Sequence, residues 1–572
     1  MKHTIQKSPF SLLLFIVPAL LFSTLLYRTI LYNNGSGYDP IDKLTPQKNI
    51  ERQFKLGNSL FDEKKYAQAQ TQYEHVIRLN PNNFSAYFNL GIALEKQHKW
   101  NEAQKIFNFI LEKNPKHTES YIHHARTLEW LEKTDEAIDQ YQQAIGTDPN
   151  CFEAHTRLGI LYANKHTKEQ YQQALHHLKK AELLNPNSTH IYLEQADVLL
   201  WQGKEQEATA LYDKLIKFTS SPAQLYVIIG QQLEHHKKFK QARDYYHKSL
   251  ALQPDYARAH VALAGNYFAL GEYEKGLQEY EWRWNLSNLK NLSKKWDGTN
   301  AHDKTILLLG ENGLGDMIQF VRFAQTIKQQ GGHVIARVNK PLVTLLSNCN
   351  YIDEVIDEHS PLPKYDAITS MQSVPLLCHV NPQTMKSKPY INTDTLLEKQ
   401  WRQKLTALEN PHKKHFRVGI CWAAGGDAMI PPHKKRSIPL QQLMQLQKIE
   451  NVIFYSLQKG PGLDQIKHIS ESFTLNVFDD LDTKNGNFMD TASLINNMDV
   501  VITIDTSVAH LAGALGAKTI LLLPYSSDPR WTAHNNKTSW YPNMTLIRQE
   551  KPGDWSSVIA AAKKKLSQLM IT

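Results

Sequence analysis

The chain has 572 residues, 41% of them apolar and 21% charged. That length exceeds one hydrophobic core and that composition excludes wholesale disorder, so at least three folded parts are expected. The formal charge of +9 is interleaved with acids and forms no long basic run, which argues against a nucleic-acid-binding protein; the four cysteines, Cys151, Cys349, Cys378 and Cys421, lack the short spacings of metal knuckles or redox pairs, so neither a disulfide framework nor a zinc site is expected.

In chain order, the first element is an uncharged stretch of 19 residues from Pro9 to Tyr27, near the length that crosses a bilayer core. It is long for a signal core and has no convincing small-residue cleavage site, so an uncleaved transmembrane helix is expected within a segment 1–32, followed by a linker over 33–49. Lys2 and Lys7 precede the stretch while Arg28, Lys43, Lys48 and Arg52 follow it, so charge assigns no orientation.

From Ile50 small residues recur in one register, Gly57, Gly91, Ala125, Gly159, Ala196, Gly230 and Ala264, in steps of 34 residues apart from one of 37. A second small position follows each, Ala69, Ala103, Ala137, Ala174, Ala208, Ala242 and Gly276, and four residues beyond it a bulky one, Tyr73, Phe107, Tyr141, Leu178, Tyr212, Tyr246 and Tyr280. This pattern predicts helical hairpins in which small residues let two helices approach and the bulky one fills the groove, with Pro81, Pro115, Pro149, Pro186 and Pro254 closing each second helix. Three extra residues near Lys165 to Tyr171, and Ser220 in a proline position with Pro222 beyond it, predict local kinks. These positions closely match the tetratricopeptide family, and the resemblance implies seven repeats over 50–290 that stack into a superhelix and bind protein or peptide partners.

After a polar linker over 291–303 the pattern changes to short apolar runs alternating with amphipathic helices, as in parallel α/β layers. Thr305–Leu309 leads through Gly310, Gly313 and Gly315 to Asp316 and a helix, which is strand, glycine turn, helix; the spacing is not that of a dinucleotide fingerprint. Further apolar runs start at Phe416, Val452, Val500 and Thr519. Two Rossmann-like lobes are expected, 304–400 and 401–572. Asp505 or Thr506 is placed to cap the helix that follows the Val500 run, and the hydroxyls of Thr506 and Ser507 beside its free amides suit a diphosphate, with His510 one turn on. A capped, closely packed helix also accounts for the small residues there, though not for His510.

Gly313-Leu-Gly315-Asp316, Arg436-Ser-Ile-Pro439, Tyr455-Ser-Leu-Gln458 and Asp505-Thr-Ser-Val-Ala-His510 together resemble the bacterial heptosyltransferase-like glycosyltransferases fused to tetratricopeptide repeats. The resemblance implies a two-Rossmann glycosyltransferase of the GT-B type, with acceptor on the first lobe, nucleotide-sugar donor on the second, and no metal or other cofactor. It assigns Asp316 as general base, Lys435 and Arg436 as the cations that balance the departing diphosphate, and Ser456, Gln458, Asp505, Thr506, Ser507 and His510 as donor contacts. Capping by Asp316 and a solvated loop at Lys435 and Arg436 are the plainer readings. The segment between Trp422 and Arg436 departs from the family pattern, which puts the donor's identity in doubt.

The function expected is transfer of a sugar, with inversion, from a nucleotide donor to a protein or glycan recruited by the repeats. The alternative is a membrane-anchored scaffold whose carboxy-terminal domain no longer catalyses. Expected partners are a protein or peptide, the donor, and a membrane through residues 9–27; nucleic acid is not among them. Since nucleotide sugars are cytosolic in bacteria, the expected location is the inner membrane, with the catalytic domain on the cytoplasmic side.

Overall fold

A computed structural model of the chain describes residues 45–385, 388–425, 435–469 and 473–571. The expected transmembrane stretch, 9–27, lies outside them. Among the described residues no helix is long and apolar enough to cross a membrane. The expectation of a single-pass inner-membrane protein is therefore corrected: the described residues form helical repeats followed by parallel sheets, and none of their helices is long and apolar enough to span a membrane.

The chain divides into two compact units, one ending at Leu131 and one starting at Glu132. In the first, helices Pro46–Asp62, Tyr66–Leu79, Phe84–Lys96, Trp100–Lys113 and Thr118–Trp130 form antiparallel neighbours. The coupled positions meet as their spacing requires: a β-carbon on Gly57 would lie 2.7 Å from the Tyr73 ring, and one on Gly91 2.6 Å from Phe107. Glycine is thus the space into which the bulky partner fits.

The second unit continues the pattern from Thr134–Thr147 to Tyr273–Tyr280, where Gly159 faces Leu178 at 2.5 Å and Gly230 faces Tyr246 at 2.3 Å by the same measure. In the fourth repeat the helix is continuous. Its second helix, Lys168–Leu184, has 17 residues where its neighbour Glu205–Phe218 has 14, so the three extra residues add most of a turn without a break. Pro222 begins the next helix, a position where its missing N–H costs nothing. The repeat prolines follow the helix ends: Asp148 terminates Thr134–Thr147, and its side chain accepts the Asn150 amide at 2.9 Å just beyond Pro149.

Beyond the repeats, β1 (Thr305–Leu309), β2 (His333–Val338), β3 (Glu354–Asp357) and β4 (Ala367–Ser370) form a parallel sheet in the order β3-β2-β1-β4. A second sheet comprises β5 (Phe416–Cys421), β6 (Val452–Ser456), β7 (Leu475–Asn476), β8 (Val500–Ile504), β9 (Thr519–Leu523) and β10 (Met544–Arg548), in the order β10-β9-β8-β5-β6-β7. Every paired strand is parallel and the central ones are buried along their length, as expected where helices cover both faces. Helix Thr395–Thr406 runs across the 400/401 boundary and docks on Met489–Ile495, where Trp401 donates to Asp490 at 2.8 Å. One apolar core runs from Ile306, Val334 and Ile318 of the first lobe to Leu511, Val501 and Leu521 of the second. The lobes also share polar ties: buried Arg322 donates to the Trp540 carbonyl at 2.9 Å, and the Tyr390 backbone amide to the Ala514 carbonyl at 3.0 Å.

The last repeat is fixed to the first lobe. Arg283, buried, donates to both carboxylate oxygens of Glu311 at 3.2 and 3.0 Å, to Glu281 at 2.7 Å and to Ser373 at 2.8 Å. Glu311 stands in the glycine turn after β1, so the repeats are tied to the segment that carries Asp316.

Two measurements check these packing arguments. Gly230→Ala drives a methyl into the Tyr246 ring and is expected to cost about 1–3 kcal/mol, read as a lower melting temperature; wild-type stability would contradict the contact. His177, held about 3.0 Å from His155 Nδ1 to Nδ1, is pushed down to about 4 by burial and then by the charges of His155 and His176. Its folded pKa lies below its ordinary value of 6.5, so its contribution to stability is present above 6.5 and is lost as pH falls toward 4. Replacing it, His177→Gln, is expected to flatten acid denaturation in that window.

Candidate active site

The carboxyl ends of β1, β5, β6, β8 and β9 converge on a cavity of about 520 Å³ between the lobes, where open parallel sheets place their ligands. Gly313, Gly315 and Asp316 line it from the first lobe; Arg436, Gln458, Asp505, Thr506, Ser507 and His510 line it from the second. Lys435 and Ser456 do not. Lys435 turns away and pairs with Glu132 at 2.7 Å, while the buried Ser456 hydroxyl accepts the Gln458 amide at 3.3 Å.

The glycine turn has a different physical reason from the one its sequence suggests. A β-carbon on Gly315 would lie 2.6 Å from Cδ2 of His510, so this glycine lets helix Leu314–Phe320 of one lobe press against helix Ser507–Ala514 of the other. The Gly313 amide donates to Asp316 Oδ2 at 3.0 Å, so Asp316 caps its own helix. Its other oxygen is 2.7 Å from Arg530, which also holds Asp528 at 2.9 Å and donates to Gln319 at 2.7 Å. A carboxylate offers about four acceptor sites, so Asp316 keeps capacity for a ligand hydroxyl.

Gln458 is spent on the protein. Its carbonyl accepts the amides of Trp422 and Ala423 at 3.0 and 2.9 Å, and its amide donates to the carbonyls of Ala423, Lys459 and Pro461 at 3.0, 3.1 and 2.9 Å. It staples the loop after β5 to the loop after β6. The remainder of the first loop, 426–434, lies outside the described residues.

Thr506, extended, precedes helix Ser507–Ala514, whose first residues Ser507 and Val508 line the cavity and, as at any helix start, have no intrahelical partner for their amides. Asp505 is buried, and burial followed by the charge of Asp528 raises its pKa. His510 is buried against Trp531, with ring centroids 5.2 Å apart, and its Nδ1 lies 2.9 Å from the Tyr541 hydroxyl. Burial and then the charge of Arg530 hold it well below its usual pKa, so the neutral ring faces the cavity. His510 and Asp505 stand 4.0 Å apart, beyond a hydrogen bond.

Sequence reasoning missed Asp528 and Arg530. They follow β9 as β8 is followed by Asp505, and the same strand-end rule would have marked them. It also missed Phe488, which lines the cavity with a positive φ of 66° in a loop stretch without repeat or motif.

Family models match this chain in both parts. Tetratricopeptide models match residues 57–97, 118–151, 167–223 and 232–281, and the model of glycosyltransferase family 9 (heptosyltransferase) matches residues 442–552. The chain is a tetratricopeptide-repeat array fused to a glycosyltransferase family 9 domain. The match to the transferase model takes in Asp505, His510, Asp528 and Arg530, and leaves Asp316 and Arg436 outside it. Protein FlbA of Caulobacter vibrioides is 23% identical over 329 residues, which span 53% of this chain and 53% of that protein. This chain therefore aligns with about half the length of that relative.

Solved structures are similar to parts of this chain. A tetratricopeptide repeat protein from Parabacteroides merdae is 19% identical over 42% of this chain and 95% of its own, with a TM-score of 0.36. PilF of Pseudomonas aeruginosa is 16% identical over 37% and 96%, at 0.30, and MamA from Desulfovibrio magneticus is 16% identical over 30% and 94%, at 0.28. Scores this low bear on neither partners nor function.

The interlobe contact yields a test. Gly315→Ala forces the buried His510 ring or the turn to move and is expected to lower stability by about 1–3 kcal/mol while changing the shape of the cavity. A thermal unfolding scan at wild-type values would show that the glycine is not there for packing.

Proposed function

We propose that the interlobe cavity binds a nucleotide sugar and transfers its sugar, with inversion and without a metal, to a protein or glycan acceptor brought by the repeats. The observation that carries this reading is the pairing across one cavity of a carboxylate, Asp316, with cationic and amide donors. Those donors are Arg436 and the free amides at the start of helix Ser507–Ala514. The cavity's volume is in the range of ordinary ligand sites.

In this reading the diphosphate lies on the helix amides and hydroxyls of Thr506 and Ser507, where the positive end of the helix and Arg436 stabilise the charge that grows as the sugar leaves. Asp316 accepts the proton of the incoming hydroxyl. Arg530, 2.7 Å from the other oxygen, fixes the carboxylate in rotation, so that it faces the incoming hydroxyl as a positioned base. Direct displacement from the face opposite the diphosphate inverts the configuration, and no covalent protein intermediate is required. Neutral His510 offers Nε2 to the donor as an uncharged hydrogen-bonding group, while Gln458 keeps the adjoining loops in place. The tie from Arg283 to Glu311 gives the repeats a direct mechanical connection to the Asp316 turn, which supports acceptor delivery by the repeats.

Two variants separate binding from chemistry in calorimetric titrations with a panel of nucleotide sugars, combined with assays of sugar release. Arg436→Met is expected to weaken donor binding by about tenfold or more. Asp316→Asn is expected to leave donor binding within about threefold and to lower turnover by about 10²–10⁴-fold. Failure of the folded wild-type chain to bind any nucleotide sugar would instead support a scaffold without catalysis.

A further inference from the structure

A second cavity, of about 230 Å³, lies where the sixth and seventh repeats meet the segment after β9. Its walls include Glu234, Lys237 and Phe239 from the repeats, and Tyr525, Ser527 and Arg548 from the transferase. Asp528 borders both this cavity and the interlobe one, so a single short strap separates them.

Two cations converge here. Lys237 occupies the left-handed turn between its repeat's helices, with φ 59°, and its ammonium stands 3.9 Å above the Tyr525 ring. Arg548 donates to the Ser527 hydroxyl at 3.3 Å and to the carbonyls of Trp531 and Thr532 at 3.2 and 2.8 Å, all uncharged acceptors. Among the described residues neither cation has a carboxylate within 4.0 Å. Burial lowers the pKa of both, and for Lys237 the charge of Arg548 adds to it while Glu550 opposes it.

The two acids that line the cavity do not supply a full counter-charge. Asp528 is committed to Arg530. Glu234 is pushed up to about 7 by burial and accepts from Asn266 at 2.7 Å, so near neutral pH it carries only part of a charge. Partly desolvated like charges without a counter-ion are costly, and an anion that fits between them removes that cost.

We propose that this cavity is an anion subsite that takes a phosphoryl-type oxyanion, held by Lys237, Arg548 and the Ser527 hydroxyl. A tetrahedral oxyanion suits donors that reach it from different directions, an ammonium from the repeats and a guanidinium and hydroxyl from the transferase. The anion's source is either free phosphate or a phosphomonoester group on a larger ligand. Occupancy joins the repeats to the strap that carries Arg530, so it stiffens the support of Asp316. The inference stands whether or not the interlobe cavity binds a nucleotide sugar.

The test is calorimetric titration of the whole chain with inorganic phosphate and, separately, with phenyl phosphate. The Arg436→Met variant serves as the background, so that binding in the interlobe cavity does not mask the second site. Adding Lys237→Met is expected to weaken phosphate binding by about tenfold or more, and Lys237→Arg to retain it within about threefold. Tighter binding of phenyl phosphate than of phosphate assigns the site to a monoester; the reverse assigns it to the free ion. Equal phosphate affinity with and without Lys237→Met, or no phosphate binding by an Arg436→Met chain that melts like the wild type, overturns the proposal.

Discussion

The guanidinium of Arg530 joins three segments that sequence separates widely: Asp316 and Gln319 of the first lobe, and Asp528 of its own strap. Its planar fork can satisfy several acceptors at once; burial works to lower its pKa, but the charges of Asp528 and Asp316 outweigh that and hold it well above the ordinary value. The charge is therefore permanent and the geometry fixed. The tie crosses the cavity, with Asp316 lining it from the first lobe and Asp528 and Arg530 from the second.

Close packing enforces the same separation from the apolar side. Gly315 presses on His510, His510 on Trp531, and the core continues without interruption from one sheet into the other. Cores of native density have little slack, so the polar tie and the packed contact reinforce one another. A neutral His510 belongs to this design: a charged ring so deeply buried beside Arg530 would be strongly disfavoured.

The repeats enter the same system at two places. Arg283 binds the glycine turn through Glu311, and the Tyr525–Thr532 strap packs against repeat helices, with Trp201 5.4 Å from Tyr525 and the Ala533 amide bonded to the Ala269 carbonyl at 2.8 Å. Glu311 stands five residues before Asp316, and Ala533 three residues after Arg530. Whatever occupies the repeats can thus bear on the cavity-lining Asp316 and Arg530 through short stretches of shared backbone.

The amino-acid sequence determined the elements that depend on local periodicity. Glycine and aromatic positions coupled across one hairpin gave the repeats, because a missing β-carbon and a ring 16 residues later must meet wherever two helices pack antiparallel. Strand, turn and helix order also marked the Asp505–His510 helix start, since capping is a local property. Roles that depend on distant partners were not legible: Gln458 reads as a ligand contact and is a strut, Lys435 reads as a diphosphate cation and pairs with Glu132, and Gly315 reads as room for a ligand and is room for His510. Asp528 and Arg530 carried no motif at all. Their importance comes from contacts about 200 residues away in the chain, as in the 211-residue separation of Arg530 and Gln319, and only the tertiary fold brings such groups within hydrogen-bonding distance.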